Sequence, residues 1–479
     1  MYNQKMVRVK NSHEKEKRKT KGRNGKWLFF ISIFAILFFL TGCSATEIAD
    51  KASDFFGFAL PGEGEEEPEA AENEELPVIV FETPEEPKLQ SEPEEFIYDA
   101  ENKIYSIVTA SDSETVLTFA GDICFYDAYA NMTTLRAQEN GIFGCILPEV
   151  MSEMTASDIF MVNNEFAYSD RGAPIEGKTY AFRAKPENAK LLHDMGVDIV
   201  SLANNHAYDY GPEALYDTID ILNEEKVPFV GAGKNINEAM KPAYFKANGK
   251  TISYVSATQI ERTANPDTKE ATENSPGVLR TLEPDKFLTV IEEAEENSDF
   301  VVVYVHWGSE NTDLVEGSQR ELAQKYAEAG ADLIIGDHPH CLQGIDYIGE
   351  VPVVYSLGNF WFNSKTVDTG LFEVTLNGEA SIQGCRFIPC IQQNCKTRIA
   401  DETEKQRILT YMQGISNYAQ IDMDGTVTKS DTDHNVQNGM NTSPSKKAPE
   451  PEPEMDPLQL PADGAVQEQT EPAGESNIQ

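Results

Sequence analysis

Four of the chain's seven histidines, His206, His306, His338 and His340, stand at or just beyond the ends of short apolar runs. Asp122, Glu165 and Asn205 occupy the same kind of place in other runs. Two carboxylates, an amide oxygen and four imidazoles make a donor set for a metal ion. Imidazole and carboxylate together suit Zn, Mn or Fe better than Ca or Mg. A lone histidine is ordinarily a packed or solvated side chain, and Asp122 alone would serve as a helix cap. Taken jointly, the donors point to one shared site. His193, inside a helical pattern before Gly196, and His13 and His434, in polar end segments, fall outside the set.

For such distant residues to meet, the fold must bring the ends of several elements together. Residues 116–120, 159–162, 199–202, 300–306 and 333–335 are apolar runs of strand length. Between them, residues 186–195, 212–225, 284–297 and 318–329 carry helical spacing, three with proline near the first turn. Strand, helix and strand in repetition predict parallel βαβ units. Asn248-Gly249 and Asn377-Gly378 each separate two strand-like runs, which is a hairpin signature. The expected fold class is α/β, with parallel strands at the centre and antiparallel additions. In an open α/β sheet, ligands bind beyond the carboxyl ends of the strands. Asp122, Asn163-Asn164-Glu165, the segment 203–211, His306-Trp307-Gly308 and 336–340 all fall there.

Several segments carry a family resemblance. They are Gly121-Asp122, Asn164-Glu165, Ala203-Asn204-Asn205-His206-Ala207-Tyr208-Asp209-Tyr210-Gly211, His306-Trp307-Gly308, the run Gly330 to Gly336 with His338-Pro339-His340, and Ser356-Leu357-Gly358-Asn359-Phe360. In this order they resemble the CapA family of bacterial poly-γ-glutamate capsule biosynthesis proteins, which is related to the calcineurin-like metallophosphoesterases. The match covers roughly residues 115–376. The resemblance implies a four-layer α/β/β/α sandwich with mixed sheets and two divalent metal ions, Mn, Zn or Fe. It implies Asp122 and His340 on the first ion, Glu165 bridging both, and Asn205, His306 and His338 on the second. It also implies phosphoester-type hydrolysis, with His206 protonating the leaving oxygen and Asp209 holding the His206 ring. One position departs from the pattern. Where the related enzymes have Asp-x-His, this chain has Asp122 followed two places later by Cys124. Either a thiolate takes over or the first ion is short of a ligand. Asn359 and Trp361 are expected to line the cleft, while Trp307 and Tyr208 fit plain packing equally well.

The flanking segments suggest an address rather than chemistry. A basic stretch to Lys26 precedes the apolar run Trp27 to Leu40, which is too short for the ~20 residues that span a bilayer. Leu40-Thr41-Gly42-Cys43 follows and is similar to a bacterial lipobox, so residues 1–43 are expected to be a lipoprotein signal peptide with Cys43 lipidated. An uncleaved signal anchor is the alternative. Both make the chain extracytoplasmic and held at the bacterial cytoplasmic membrane, with other capsule or polymer synthesis proteins as expected partners. Residues 44–113 form a Glu- and Pro-rich tether, 114–428 the domain, and 429–479 a polar tail with too little apolar content for a core. The net charge of −41 argues against nucleic-acid binding, which depends on an excess of Lys and Arg. The segment from Gly231 to Lys234 lacks the rest of a phosphate loop, and no Gly-x-Ser-x-Gly elbow is present. The cysteines beyond Cys43 form an even set that permits a disulfide. A non-catalytic accessory subunit of a polymer export complex remains the competing function.

Overall fold

A computed structural model of the protein describes residues 96–260 and 268–434. Cys43 and the signal-peptide expectation lie outside these residues. Among the described residues no helix is long and apolar enough to cross a membrane.

The layering follows from the strands being apolar on both faces. In Phe300–His306, Val301, Val303 and Val305 pack outward against Phe287, Val290, Ile291, Leu322 and Tyr326. Those partners lie on the helices Asp285–Asn297 and Gly317–Glu328. The alternate residues Val302 and Tyr304 turn the other way, where they meet Leu117, Phe119, Ile159 and Met161 of a second sheet. In that second sheet, Phe160, Val162 and Val200 pack on Met151, Met154, Leu192, Leu215 and Ile219. These belong to the helices Pro148–Ala156, Lys190–Asp194 and Gly211–Glu224. With helices outside and two sheets face to face, the order of layers is α/β/β/α, as expected. Continuous apolar runs, in place of strict alternation, are what strands buried on both faces require.

Among the described residues one sheet has eight strands. Its centre, Lys250–Thr258, Phe300–His306, Leu333–Asp337 and Val351–Val354, is parallel. The other has ten, with Glu114–Ile123, Ile159–Asn164, Ile199–Ser201 and Phe229–Val230 parallel to one another. Both expected hairpins are present as antiparallel pairs: Ala243–Ala247 with Lys250–Thr258, and Val367–Asn377 with Ile382–Gln393.

Two boundaries move. The tether was expected to run to residue 113, but Tyr98–Asp99 and Ile104–Ser106 are strands, the latter pairing in parallel with Ala243–Ala247. The buried Lys103 pins this lead-in, since its Nζ donates to Phe229 O at 3.1 Å and Glu238 O at 3.4 Å. At the other end, the strand Thr426–Lys429 passes the expected limit of 428, and the His434 N–H donates to Asn417 O at 3.0 Å.

One close approach matters for the site. A side chain at Gly121 would overlap the carbonyl oxygen of Gly358, which itself has φ +68°. With no Cβ in the way, Asp122 N–H donates to Gly358 O at 3.0 Å, and the strand Asn359–Trp361 pairs in parallel so that Asn359 lies opposite Asp122.

Candidate metal centre

All the sequence-predicted donors lie where the parallel strands of both sheets end. Asp122 and Glu165 come from the ten-stranded sheet, Asn205 and His206 from the loop after Ile199–Ser201, and His306 from the end of its strand in the eight-stranded sheet. His338 and His340 follow Leu333–Asp337. Both take left-handed backbone, His338 at φ +95° and His340 at φ +57°, a costly conformation for residues with a Cβ that is concentrated at functional sites.

One cluster is centred on His306. Its Nδ1 is 2.8 Å from Asp337 Oδ1, so the proton sits there and the Nε2 lone pair faces the site. That Nε2 lies 2.8 Å from Asn205 Oδ1, 3.0 Å from His338 Nδ1 and 3.6 Å from Glu165 Oε1. Acceptor atoms thus converge on one another. Ligands sharing one cation at bonds of ~2.1 Å stand ~3 Å apart. A carboxylate behind an imidazole, orienting it, is the usual support of a metal-ligating histidine.

The second cluster is centred on His340. Its Nδ1 is 3.2 Å from Asp122 Oδ2 and 2.9 Å from Asn359 Oδ1. Asp122 Oδ1 accepts from Asn163 Nδ2 at 2.8 Å. The donor atoms of Glu165, His338 and His340 lie within 4.8 Å of one another, and so do those of Asp122, His306 and Asp337.

The electrostatics leave this arrangement short of positive charge. Asp122, Glu165 and Asp337 are fully buried. Burial, and then the charges of Asp122 and Asp337, push the Glu165 carboxyl well above its ordinary value. Burial and Asp122 do the same to Asp337. Burial opposes ionisation of Asp122 as well, but hydrogen bonding and charge from His340 hold it down to about 2. Burial lowers His306 to about 3, which keeps it neutral and its lone pair available. Both oxygens of Glu165 and Asp337 Oδ2 are buried without a hydrogen-bond partner. Orphaned buried carboxylate oxygens call for a counter-ion. The donor set and these oxygens fit divalent cations.

Beside this cluster stands His206, stacked on Phe182 with ring centroids 4.3 Å apart. Its Nδ1 is 2.7 Å from Asp209 Oδ2, and its Nε2 points toward Glu165 Oε1 at 3.9 Å. Asp209 is fixed from three sides, because the Phe182 N–H donates to Oδ2 at 2.6 Å and Lys178 Nζ pairs with Oδ1. Lys178 also donates to Asn205 O. Burial lowers the His206 pKa below its ordinary value, against the pull of Asp209.

Two residues singled out in the sequence lie away from the donors. Cys124 is fully buried in the apolar cluster that includes Phe125, Phe166 and Trp361, and burial pushes its thiol well above the ordinary value. It belongs to neither convergent donor group. Trp361 does not line the cleft; it is fully buried, with its indole N–H donating to Cys395 O at 2.9 Å. Trp307 is likewise packing, bonded through its indole to Tyr355 O at 2.9 Å. The six cysteines among the described residues are free. Sequence reasoning missed Asp337 and Lys178 as members of the site. Asp337 directly follows its strand and was there to be found. Lys178 reaches in from a loop, and nothing in its neighbours marks it.

The comparisons with known proteins agree with this picture. The family model described as bacterial capsule synthesis protein PGA_cap matches residues 116–364, the stretch that contains every donor named above. The PGA biosynthesis protein CapA of Bacillus subtilis is 31% identical over 348 residues, covering 71% of this chain and 88% of that protein. The capsule biosynthesis protein CapA of Bacillus anthracis is 34% identical over 241 residues, 48% of this chain and 57% of that protein. Among solved structures, the Thermus thermophilus sulfate thiohydrolase SoxB aligns over 57% of this chain and 56% of its own, with 13% identity and a TM-score of 0.33, a likeness too distant to carry an inference. The motifs, their convergence at the strand ends and the relatives together place this chain in the bacterial capsule synthesis protein family PGA_cap.

Proposed function

We propose that this chain is a divalent-metal-dependent hydrolase or transferase acting in the synthesis of a bacterial capsule or related extracellular polymer of the poly-γ-glutamate type. The observation that carries this reading is the set of buried, unpartnered carboxylate oxygens facing imidazoles at the strand ends. Two cations, of Mn, Zn or Fe, would be held by Asp122 and His340 on one side and by Asn205, His306 and His338 on the other, with Glu165 shared. When bound, such cations supply Lewis acidity toward a phosphoryl or carbonyl oxygen and lower the pKa of a water.

The chain's own residues do the rest. Asp209 keeps the proton of His206 on Nδ1, which leaves Nε2 as the atom that exchanges a proton with the substrate. Lys178 and the Phe182 N–H prevent Asp209 from turning away. Phe182, stacked on the imidazole, shields it from water. His206 is therefore the proton carrier: its Nε2 takes the proton released by the attacking water and passes it to the leaving oxygen, with Asp209 as its orienting partner.

The relatives named for polymer and capsule biosynthesis support the substrate class, and the lipobox-like run before Cys43 supports anchoring at the outer face of the cytoplasmic membrane. Other proteins of polymer synthesis are the proposed partners, and nucleic acid is not. The accessory reading rests on one specific observation, the buried Cys124 in place of the expected histidine. To separate the two readings, the purified full chain is stripped with a chelator, reloaded with Mn²⁺, and assayed on aryl phosphate esters and on poly-γ-glutamate. Hydrolysis that needs added metal and fails in Glu165→Gln supports the enzyme; bound Mn²⁺ without turnover on any substrate supports the accessory.

A further inference from the structure

The family resemblance places a histidine two residues after Asp122, and here that place is the buried Cys124, which joins neither donor group. The position around Asp122 and His340 is therefore one donor short, unless another residue supplies it. We propose that Asn359 supplies it, its Oδ1 serving as the third protein ligand of the cation held by Asp122 and His340. This rests on the two-cation reading above.

Asn359 belongs to no position that the resemblance assigns to metal. Its placement is built into the backbone. Gly121 and Gly358 permit the close approach that pairs Asn359–Trp361 in parallel beside Glu114–Ile123, which sets Asn359 opposite Asp122. The side chain is 4% exposed, and its Oδ1 lies 2.9 Å from His340 Nδ1. His340 Nδ1 in turn lies 3.2 Å from Asp122 Oδ2, and Asp122 is fully buried. The arrangement repeats that of the other position, where an amide oxygen, Asn205 Oδ1, stands 2.8 Å from an imidazole nitrogen, His306 Nε2, beside the unpartnered Glu165 Oε1. Each cluster thus contains a carboxylate, at least one imidazole and an amide oxygen at the spacing of ligands that share an ion.

The test uses the full chain purified in detergent, stripped of metal, and titrated with Mn²⁺ alone. Bound metal is counted by elemental analysis, and the two ions are followed by electron paramagnetic resonance. Wild type should bind two Mn²⁺ with a spin-coupled spectrum. Asn359→Leu should bind one, with the spectrum of an isolated ion, while Asn359→Asp keeps two. A second variant separates direct ligation from support of the His340 ring. Asn359→Cys loaded with Cd²⁺ should show a thiolate-to-metal charge-transfer band that wild type lacks, because soft thiolate binds Cd²⁺ only if the side chain touches the ion. Two tightly bound Mn²⁺ in Asn359→Leu, or no new band in Asn359→Cys, would overturn the proposal and leave the two-cation reading standing. A wild type that binds no Mn²⁺ would overturn both.

Discussion

His206 and Asn205 are adjacent, yet the structure gives them different partners. Asn205 Oδ1 joins His306 in the donor cluster, whereas His206 is turned to Asp209. His206→Asn should therefore leave bound metal near the wild-type amount while turnover falls by roughly the 10² to 10⁴ of a lost proton carrier. An activated aryl ester, whose leaving group needs no proton, should be affected less. Metal loss in parallel with rate would make His206 a ligand and overturn the assignment. Lys178 acts one step further back, through Asp209. Lys178→Met should lower kcat with little change in KM, and Lys178→Arg should restore much of it by returning the positive charge. An unchanged kcat in Lys178→Met would show that Asp209 needs no such brace. At this scale the sequence revealed the donors, because rare residue types fall directly after apolar runs. It concealed Lys178 and the role of Asn359, since each depends on a loop or strand returning from far along the chain.

The elements that hold these residues were legible where their physics is local. Phe300–His306 and the helix Asp285–Asn297 follow from an apolar run and from helical spacing after Pro284. The helices Ala130–Ala137 and Pro148–Ala156 were not foreseen; they are short, and long-range packing defines them. The lead-in strands were hidden for a related reason. Two- and three-residue strands next to a charged stretch have no periodicity to read, and what fixes them is the burial of Lys103. Burial depresses the Lys103 pKa to about 8 from 10.5. Below pH 8 the lysine is protonated in both states and its buried charge costs stability. Between pH 8 and 10 the unfolded chain binds more protons, so this term should raise stability with pH, by at most about 1.4 kcal/mol per unit. Denaturant unfolding at pH 8 and 9.5 should show that slope in the wild type minus Lys103→Met difference; equal curves in the two proteins would contradict the depressed pKa. At the other critical junction, Gly121→Ala should cost about 1–3 kcal/mol, since its Cβ meets backbone that cannot swing away. An unchanged melting temperature would mean that the Gly358 segment moves freely.

For the molecule as a whole, four layers bring the carboxyl ends of two parallel-centred sheets to one edge, and the donor set is divided between them. Family resemblance supplied that layering in advance, whereas the apolar runs alone predicted only a mixed sheet. The reason is that a strand buried on both faces reads the same whether helices or another sheet cover its second face. The segment after His434 is rich in Pro, Glu, Ser and Gln and lacks aromatics, so removing it should leave the melting temperature within a few degrees of wild type. Removing everything after Thr428 should cost more, because it takes the end of the strand Thr426–Lys429 with it. Identical melting curves for the two truncations would show that this strand end contributes nothing.

The central claim is that the strand-end cluster is a divalent-cation centre, and anomalous scattering tests it most directly. Crystals of the protein soaked in Mn²⁺ and measured near the manganese absorption edge should show two strong anomalous peaks. One should be enclosed by Glu165, Asn205, His306 and His338, and the other by Asp122, His340 and Asn359. Anomalous density elsewhere on the surface with none between these residues would contradict the account.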